Sequence, residues 1–528
     1  MRRYIFLLIA ITLLLAQSLP TIINGRFTFA FDMGRDLLWV RNMVELKKPA
    51  LIGPWGSIAG VYFGPIWYYL LAIPYMIFNG DARAAVTVPL AANLLTIIIG
   101  WIFLRRRRHP VAANIFALLY SVSPLIVSLS SFAFHANLLP LVTLLFFIGL
   151  YVFHKSLFIN HKSLIGLPLS ALSASLAYHL EPAAGVMLTG FLGLWLIGQI
   201  IIKKMKIKHS FIRLLVYSFI LFIIPFLPQI VFEFRHNFVQ TNSLIAYFQG
   251  ENTSLGGVLP LDKRLTERID KISGSLSYSL LPVPEIWQQW LILSIFFLLI
   301  IIFVRKYRPD QLTHYFLILI SYFLSFHYLA YTFLFPAELK SWYLSGFSSL
   351  FILSISLIIE KIFTIRKLIA IPIVAAFMLW NTEIFTKLIA KNNQPAAPET
   401  LAAQLEVVDW IYQDALKTFE PFSVYTYTPP IYDYTYQYLI WWRGTKQYGK
   451  LPAEYRYLPN ETDYLPYPDK FISQIWPPQD AKIAYLVINP PENQAFLAGW
   501  LGHFAAWPRI SEISFPSGIK IETRSIIN

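Results

Sequence analysis

The sequence predicts an α-helical polytopic membrane protein with about eleven transmembrane helices, interfacial helices in its first outer loop and a C-terminal α/β soluble domain. Three observations point there. The chain has 528 residues, of which 56% are hydrophobic and only 14% charged. Many apolar runs approach the ~20 residues that cross a bilayer. After about residue 390 the composition turns to prolines, polar residues and short β-like runs. The formal charge of +14 sits in short clusters between apolar runs, where loops on the cytoplasmic side carry it; this reads as membrane topology, with no nucleic acid as partner. With no cysteine in the chain, disulfides, thiolate metal sites and cysteine nucleophiles are excluded.

The first apolar run, Tyr4 to Ile23, follows Arg2 and Arg3. Ala16-Gln17-Ser18 would serve as a weak cleavage site, but the length favours a retained anchor with a cytoplasmic N-terminus. Further apolar segments fall near Val61 to Phe78, Ala84 to Leu104, Val111 to Ser130, Leu138 to Phe153, Leu164 to Tyr178, Ala183 to Ile202, Leu214 to Phe232, Trp290 to Val304, His314 to Phe335, Leu344 to Ile359 and Leu368 to Ile384. The basic clusters Arg105 to Arg108, Lys203 to Lys208, Arg305 to Arg308 and Lys361 to Lys367 must share one side. They do so if Val61 to Phe78 does not cross. That segment carries Gly64, Pro65, Pro74 and interface-loving aromatics (Tyr62, Trp67, Tyr68, Tyr69, Tyr75), so it is expected to lie along the outer interface.

This topology makes residues 1–388 a transmembrane domain, with a first outer loop at 24–83 and a long outer loop at 233–289, and makes 389–528 an outer-face α/β domain. The protein is expected in a bacterial-type plasma or inner membrane, with the C-terminal domain on the periplasmic or extracellular side. The long loop needs local structure of its own. In the C-terminal domain Asn392, Asn393, Gln394, Pro395 and Pro398 read as a linker, and Leu401 to Leu416 as an amphipathic helix. Phe422 to Tyr427, Lys482 to Ile488 and Ser514 to Thr523 read as strands. The aromatic run Tyr425, Tyr427, Tyr432, Tyr434, Tyr436, Tyr438, Trp441 and Trp442 alternates over part of its length, so its rings are expected to share a strand face, packing domains or stacking on sugars.

The groups that chemistry can use fall on the outer side: Asp32, Arg83, His135, His179, Glu181, Arg235, His236, Glu338 and Lys340. Asp32 follows the first anchor by about nine residues, in the interface where a lipid headgroup lies. Two compatible roles stand open for it: N-cap of a helix over Met33 to Leu46, or general base. Arg35, three residues on, would share a helix face and form an ion pair that keeps the carboxylate charged and oriented.

Several ordered motifs carry a resemblance. Asp32-Met33-Gly34-Arg35 resembles the D-x-x-R opening of the first outer loop in the GT-C superfamily of membrane glycosyltransferases, in the branch of protein O-mannosyltransferases and aminoarabinose transferases. Phe63-Gly64-Pro65 with Tyr68-Tyr69 is similar to its proline-aromatic helix, and Asp81-Ala82-Arg83 to the arginine opening the next span. Ser131 to Pro140 resembles the second outer loop; where many relatives carry an acidic residue or an asparagine-proline pair, this chain has His135 and Ala136, which speaks against a metal there. Pro228 to Thr241 is also similar to the bacterial branch. The resemblance implies a GT-C-like fold and an inverting transfer of a sugar from a polyprenyl-phosphate donor to an outer-face acceptor, which is a lipid, a cell-envelope glycan or a protein.

Such a transfer needs a base and positive groups to stabilise the departing lipid phosphate. Asp32 fits the first need. Arg35, Arg83, Arg235, Lys340 and, more weakly, His236 are the candidates for the second, although Arg83 could instead snorkel and Arg235 pair with Glu233 or Asp36. His135, Asn137, His179 and Glu181 are candidates for sugar or acceptor; each has a plainer role in capping, packing or satisfying loop backbone. No cofactor is indicated, and a divalent metal is possible but unsupported by ligand spacing. Two other functions fit the layout. A lipid or oligosaccharide transporter would place ionisable groups mid-span. An envelope polysaccharide polymerase or ligase would rely on the long loop with Arg235, Arg264 and Arg268.

Overall fold

Apolar runs set the helices, and the prolines and glycines between them set the breaks. The computed structural model describes residues 2–159, 165–202, 209–250, 258–306, 309–391, 394–418, 420–428, 433–459 and 481–527. Lys203 to Lys208, Arg308, Asn392, Asn393 and Tyr432 lie outside the described residues. In chain order the helices are α1 (Ile5–Ile23), α2 (Phe31–Glu45), α3 (Ile66–Ile77), the single turn α4 (Ala82–Ala85), α5 (Thr87–Arg106), α6 (Pro110–Ser121), α7 (Pro124–Ser130), α8 (Leu139–Ile159), α9 (Gly166–Leu180) and α10 (Pro182–Ile202). They continue with α11 (His209–Ile223), α12 (Leu227–Arg235), α13 (Val239–Gln249), α14 (Leu261–Tyr278), α15 (Ile286–Lys306), α16 (Gln311–Leu334), α17 (Phe347–Ile365) and α18 (Lys367–Lys391).

Among the described residues, eight helical segments are long and apolar enough to cross a membrane, and the chain is an integral membrane protein. The run Val111 to Ser130 is not one straight span: α6 and α7 meet at 61°. Ser123 accepts from the Ile126 N–H, and Pro124, which has no N–H to continue the preceding helix, opens α7. The remaining two expected positions hold α9, of 15 residues, and α18, of 25. Helix α3 has 12 residues with Pro74 inside; at ~1.5 Å per residue it is shorter than the ~30 Å hydrocarbon core.

The chain divides into two units. One comprises Met1–Ser18, Ala50–Tyr69 and Val88–Lys387; the other comprises Leu19–Pro49, Leu70–Thr87 and Leu388–Asn528. The first is a helical bundle whose core includes the mutually packed rings of Phe147, Phe191, Phe323 and Phe347. A charged clasp ties three of its elements. His109, between α5 and α6, places Nδ1 2.5 Å from Glu360 of α17 and Nε2 3.3 Å from Asp310, the N-cap of α16. Burial opposes a charge on His109, but hydrogen bonds to the two carboxylates outweigh it and bring its pKa to about 9.

The second unit holds α19 (Leu401–Thr418), β1 (Phe422–Tyr427), α20 (Tyr434–Arg443), β2 (Tyr455–Arg456), β3 (Ile483–Ile488), α21 (Gln494–Gly502), β4 (Arg509–Ser514) and β5 (Lys520–Ser525). Its sheet has the order β2-β1-β3-β5-β4. Strand β1 runs parallel to β2 and β3, and β5 antiparallel to β3 and β4. One face packs Tyr425, Tyr427, Leu486 and Ile488 on Trp500 and Phe504; the other sets Phe422 and Tyr485 against Tyr412 and Trp410 of α19. Covered on both faces, β1 is buried throughout, and β3 reads as a continuous apolar run.

Two expectations are corrected here. Ser514 to Thr523 is not one strand: it spans the end of β4, the turn of the hairpin and the first four residues of β5. Pro516 cannot donate to a ladder, and Gly518 adopts φ +86° while its N–H donates to the Phe515 carbonyl. The aromatic run is also not one strand. Tyr425 and Tyr427 lie on β1, whereas Tyr434, Tyr436, Tyr438, Trp441 and Trp442 belong to α20, and all seven are buried. Tyrosine at every second position imitates a strand, but packing against α2 decides for helix. Their burial fits the packing role of the two expected for them.

Candidate active site

In the second unit, Asp32 lies in the first turn of α2 and is not its cap. The cap is Ala30, which has no side chain to accept an N–H, and the helix starts at Phe31. The helix dipole favours a negative charge at that place. Arg35 Nη1 lies 2.8 Å from Asp32 Oδ1, with the Arg35 side chain 3% exposed and that of Asp32 44% exposed. The same guanidinium uses Nε and Nη2 to bind Asp36 Oδ1 at 2.9 and 2.8 Å. Thus the expected Asp32–Arg35 pair is present, and Asp36, one of the two alternative partners expected for Arg235, is bound by Arg35.

Gly34 sits between them in sequence and lets two helices touch. A Cβ at Gly34 would stand 2.6 Å from the Thr435 backbone nitrogen of α20. The rings of Phe31 and Tyr434 pack 5.0 Å apart beside this crossing. In the same unit Asp81 caps α4 by accepting the Arg83 N–H, and its carboxylate binds the Arg83 guanidinium at 2.7 Å. Arg83 also donates to the Ile23 carbonyl. Its charge is therefore already engaged by its own helix cap.

In the first unit, Phe63-Gly64-Pro65 meets both histidine-bearing turns. The Phe63 ring stands edge-on to His135 at 4.8 Å, and Trp67 flanks the same histidine. His179 occupies the space above Gly64 so closely that a Cβ there would fall 1.4 Å from Nδ1. The Asn137 amide is spent on loop backbone, donating to the carbonyls of Leu129 and Phe132. Glu181, one extended residue between α9 and Pro182, is buried, and burial pushes its carboxyl up to about 8.

The cations of this unit differ in how far they are engaged. Arg235, at the end of α12, is exposed and forms no ion pair among the described residues. Glu233, its other expected partner, instead caps α13 by accepting from the N–H groups of Gln240 and Thr241. His236 stacks on Phe232 at 4.1 Å and directs Nδ1 to that residue's carbonyl. Lys340 pairs with Glu338 at 2.7 Å. Arg268 is fully buried; it pairs with Glu267 and donates to the carbonyls of Tyr331, Phe335 and Ala337, so it clamps the Phe335 to Lys340 loop onto α14. Arg264 donates to the Thr332 carbonyl. These two arginines of the long loop hold structure together. No group of three or more potential ligands is placed to hold a metal ion among the described residues.

No family model matches the chain, and no curated protein matches it in sequence. Solved structures do match. ArnT from Cupriavidus metallidurans in the apo state superposes with a TM-score of 0.58 at 13% identity, covering 98% of this chain and 97% of that one. The same protein bound to undecaprenyl phosphate gives 0.55 at 12% identity, again over 98% and 97%. The chain has the GT-C fold.

Several residues around Glu181 carry no sequence signal. Trp342 donates toward its carboxyl, Tyr331 and Tyr343 lie within electrostatic reach, and Ser57 bonds to Tyr343. They come from three separate segments, and nothing in their local spacing sets them apart from the many other aromatic and hydroxyl residues of the bundle.

Proposed function

We propose that this protein is an inverting glycosyltransferase that moves a sugar from a polyprenyl-phosphate donor to a lipid, cell-envelope glycan or protein acceptor. The observation that carries the reading is Asp32: a half-exposed carboxylate in the first turn of α2, held by buried Arg35, on a chain with the GT-C fold. The undecaprenyl phosphate held by the similar ArnT structure supports a polyprenyl-linked donor.

In this reading Asp32 takes the acceptor hydroxyl's proton as its oxygen attacks the anomeric carbon. The bond from that carbon to the phosphate oxygen breaks on the opposite side, its electrons pass to the phosphate, and the anomeric configuration inverts. Cations stabilise the charge that develops on the phosphate. Arg235 is the first choice, because it is exposed with no carboxylate partner among the described residues; Lys340 and His236 come next, and Arg83 would have to leave Asp81 to take part. Arg35 acts through Asp32. His135, His179 and Glu181 are assigned to sugar or acceptor, and Asn137 to their loop. The N-terminus is assigned to the cytoplasm and the C-terminal domain to the periplasmic or extracellular side.

The test is release of polyprenyl phosphate from a panel of undecaprenyl-phosphate pentoses and hexoses by the purified protein in nanodiscs, with a membrane extract as acceptor. Release from at least one donor, with the label moving to a product, is expected. No release from any donor, together with movement of intact glycolipid between leaflets of proteoliposomes, would replace this reading with a transporter.

A further inference from the structure

Glu181, its sequence neighbour His179 and Tyr331, which lies within electrostatic reach of it, keep buried polar atoms that have nothing to bond. Glu181 Oε2 lacks a hydrogen-bond partner, and so do both ring nitrogens of His179 two residues earlier and the phenol oxygen of Tyr331 on α16. Glu181 is 3% exposed, and His179 and Tyr331 are fully buried. Each such atom costs about 1–3 kcal/mol unless something satisfies it, so a bundle that keeps several within one region is built to receive hydrogen bonds there. The neighbourhood also supplies flat apolar faces. Trp342 directs its indole N–H to the Glu181 carboxyl, and Tyr343 lies beside it. Tyr343 and Ala184 also border a small gap together with Thr143, His327 and Phe347. All of these residues belong to the first unit.

The chemistry narrows the ligand. An anion would find its nearest cation, Arg268, already engaged by Glu267 and three carbonyls, and no metal-binding group of three ligands is present among the described residues. A ring that carries several hydroxyls matches donors and acceptors set between aromatic faces. We propose that this cluster is the subsite for the uncharged glycosyl ring of the donor, with Glu181 as its principal hydrogen-bonding group. The assignment rests on the polyprenyl-linked transfer reading and specifies which residues of that site see the sugar. Because burial keeps a proton on Glu181 near neutral pH, the carboxyl both donates and accepts, and glutamine is its closest neutral substitute.

The experiment compares binding of bare undecaprenyl phosphate with binding of undecaprenyl-phosphate glucose, mannose, galactose and arabinose, to wild type, Glu181→Gln and Glu181→Ala in nanodiscs. In wild type at least one glycosylated lipid should bind about tenfold more tightly than the bare lipid, equivalent to about 1.4 kcal/mol. That advantage should persist in Glu181→Gln and shrink to within about twofold in Glu181→Ala, while affinity for the bare lipid, the control for an intact fold, stays unchanged in all three. An advantage undiminished in Glu181→Ala, one lost in Glu181→Gln, or equal binding of bare and glycosylated lipids by wild type would each overturn the sugar subsite and leave the polyprenyl reading standing. Failure of wild type to bind any of these lipids would overturn that reading, and the subsite with it.

Discussion

Arg35 places one nitrogen 2.8 Å from Asp32 and gives its other two to Asp36, so a single buried guanidinium fixes two carboxylates, one of them half exposed. The planar fork makes this possible; an ammonium cannot reproduce it. In the mechanism proposed, Arg35 orients Asp32 without touching the reacting atoms.

Arg35→Lys is therefore expected to lower the rate of sugar transfer by about tenfold or more with little change in the donor's KM, and Arg35→Met to destabilise the second unit by about 3 kcal/mol, because the buried Asp36 would lose the guanidinium that binds it. Transfer kinetics and thermal unfolding of the two variants check both statements. A KM effect with unchanged kcat would place Arg35 on the substrate instead.

Gly34→Ala drives a methyl group into the α20 backbone 2.6 Å away. Overpacking of this kind costs about 1–3 kcal/mol, and limited proteolysis should show the β1 to α20 region opening at a lower denaturant concentration than in wild type. A variant as resistant as wild type would show that α2 and α20 can separate without cost.

Gly64→Ala displaces His179, whose Nδ1 lies where the new Cβ must go. The single variant should lose about 2 kcal/mol of stability, and adding His179→Ala should restore most of it. Additive losses in the double variant would mean that the two positions do not share this space.

The His109 clasp predicts alkaline sensitivity. Folding raises the His109 pKa from 6.5 to about 9, so its stabilisation is complete below about 6.5 and is lost as the pH rises through about 9. The loss should reach about 2 kcal/mol, after allowance for the partly exposed Asp310. Melting temperature measured at pH 6 and pH 9.5 should fall for wild type and change much less for His109→Gln. Equal falls would remove the clasp from the account.

How much of this was readable in the chain follows from the range of each interaction. The membrane helices and the Asp32–Arg35 pair depend on runs and spacings within a few residues, and both are visible in the sequence. The Ser123-Pro124 break and the Pro516 to Gly518 turn were equally local but are masked by apolar or β-prone neighbours. The tyrosines of α20 alternate like a strand, and only their burial against α2 decides otherwise. The environment of Glu181 depends on Tyr331, Trp342 and Tyr343, more than a hundred residues away. No local pattern announces such a site.

The central claim is that Asp32 is the base, and the measurement that tests it most directly is transfer of radiolabelled sugar from undecaprenyl-phosphate donors by membranes holding equal amounts of wild type, Asp32→Asn or Asp32→Glu. The account predicts a loss of at least about a hundredfold in Asp32→Asn and partial activity in Asp32→Glu, with donor binding retained in both. Transfer by Asp32→Asn at the wild-type rate would contradict it.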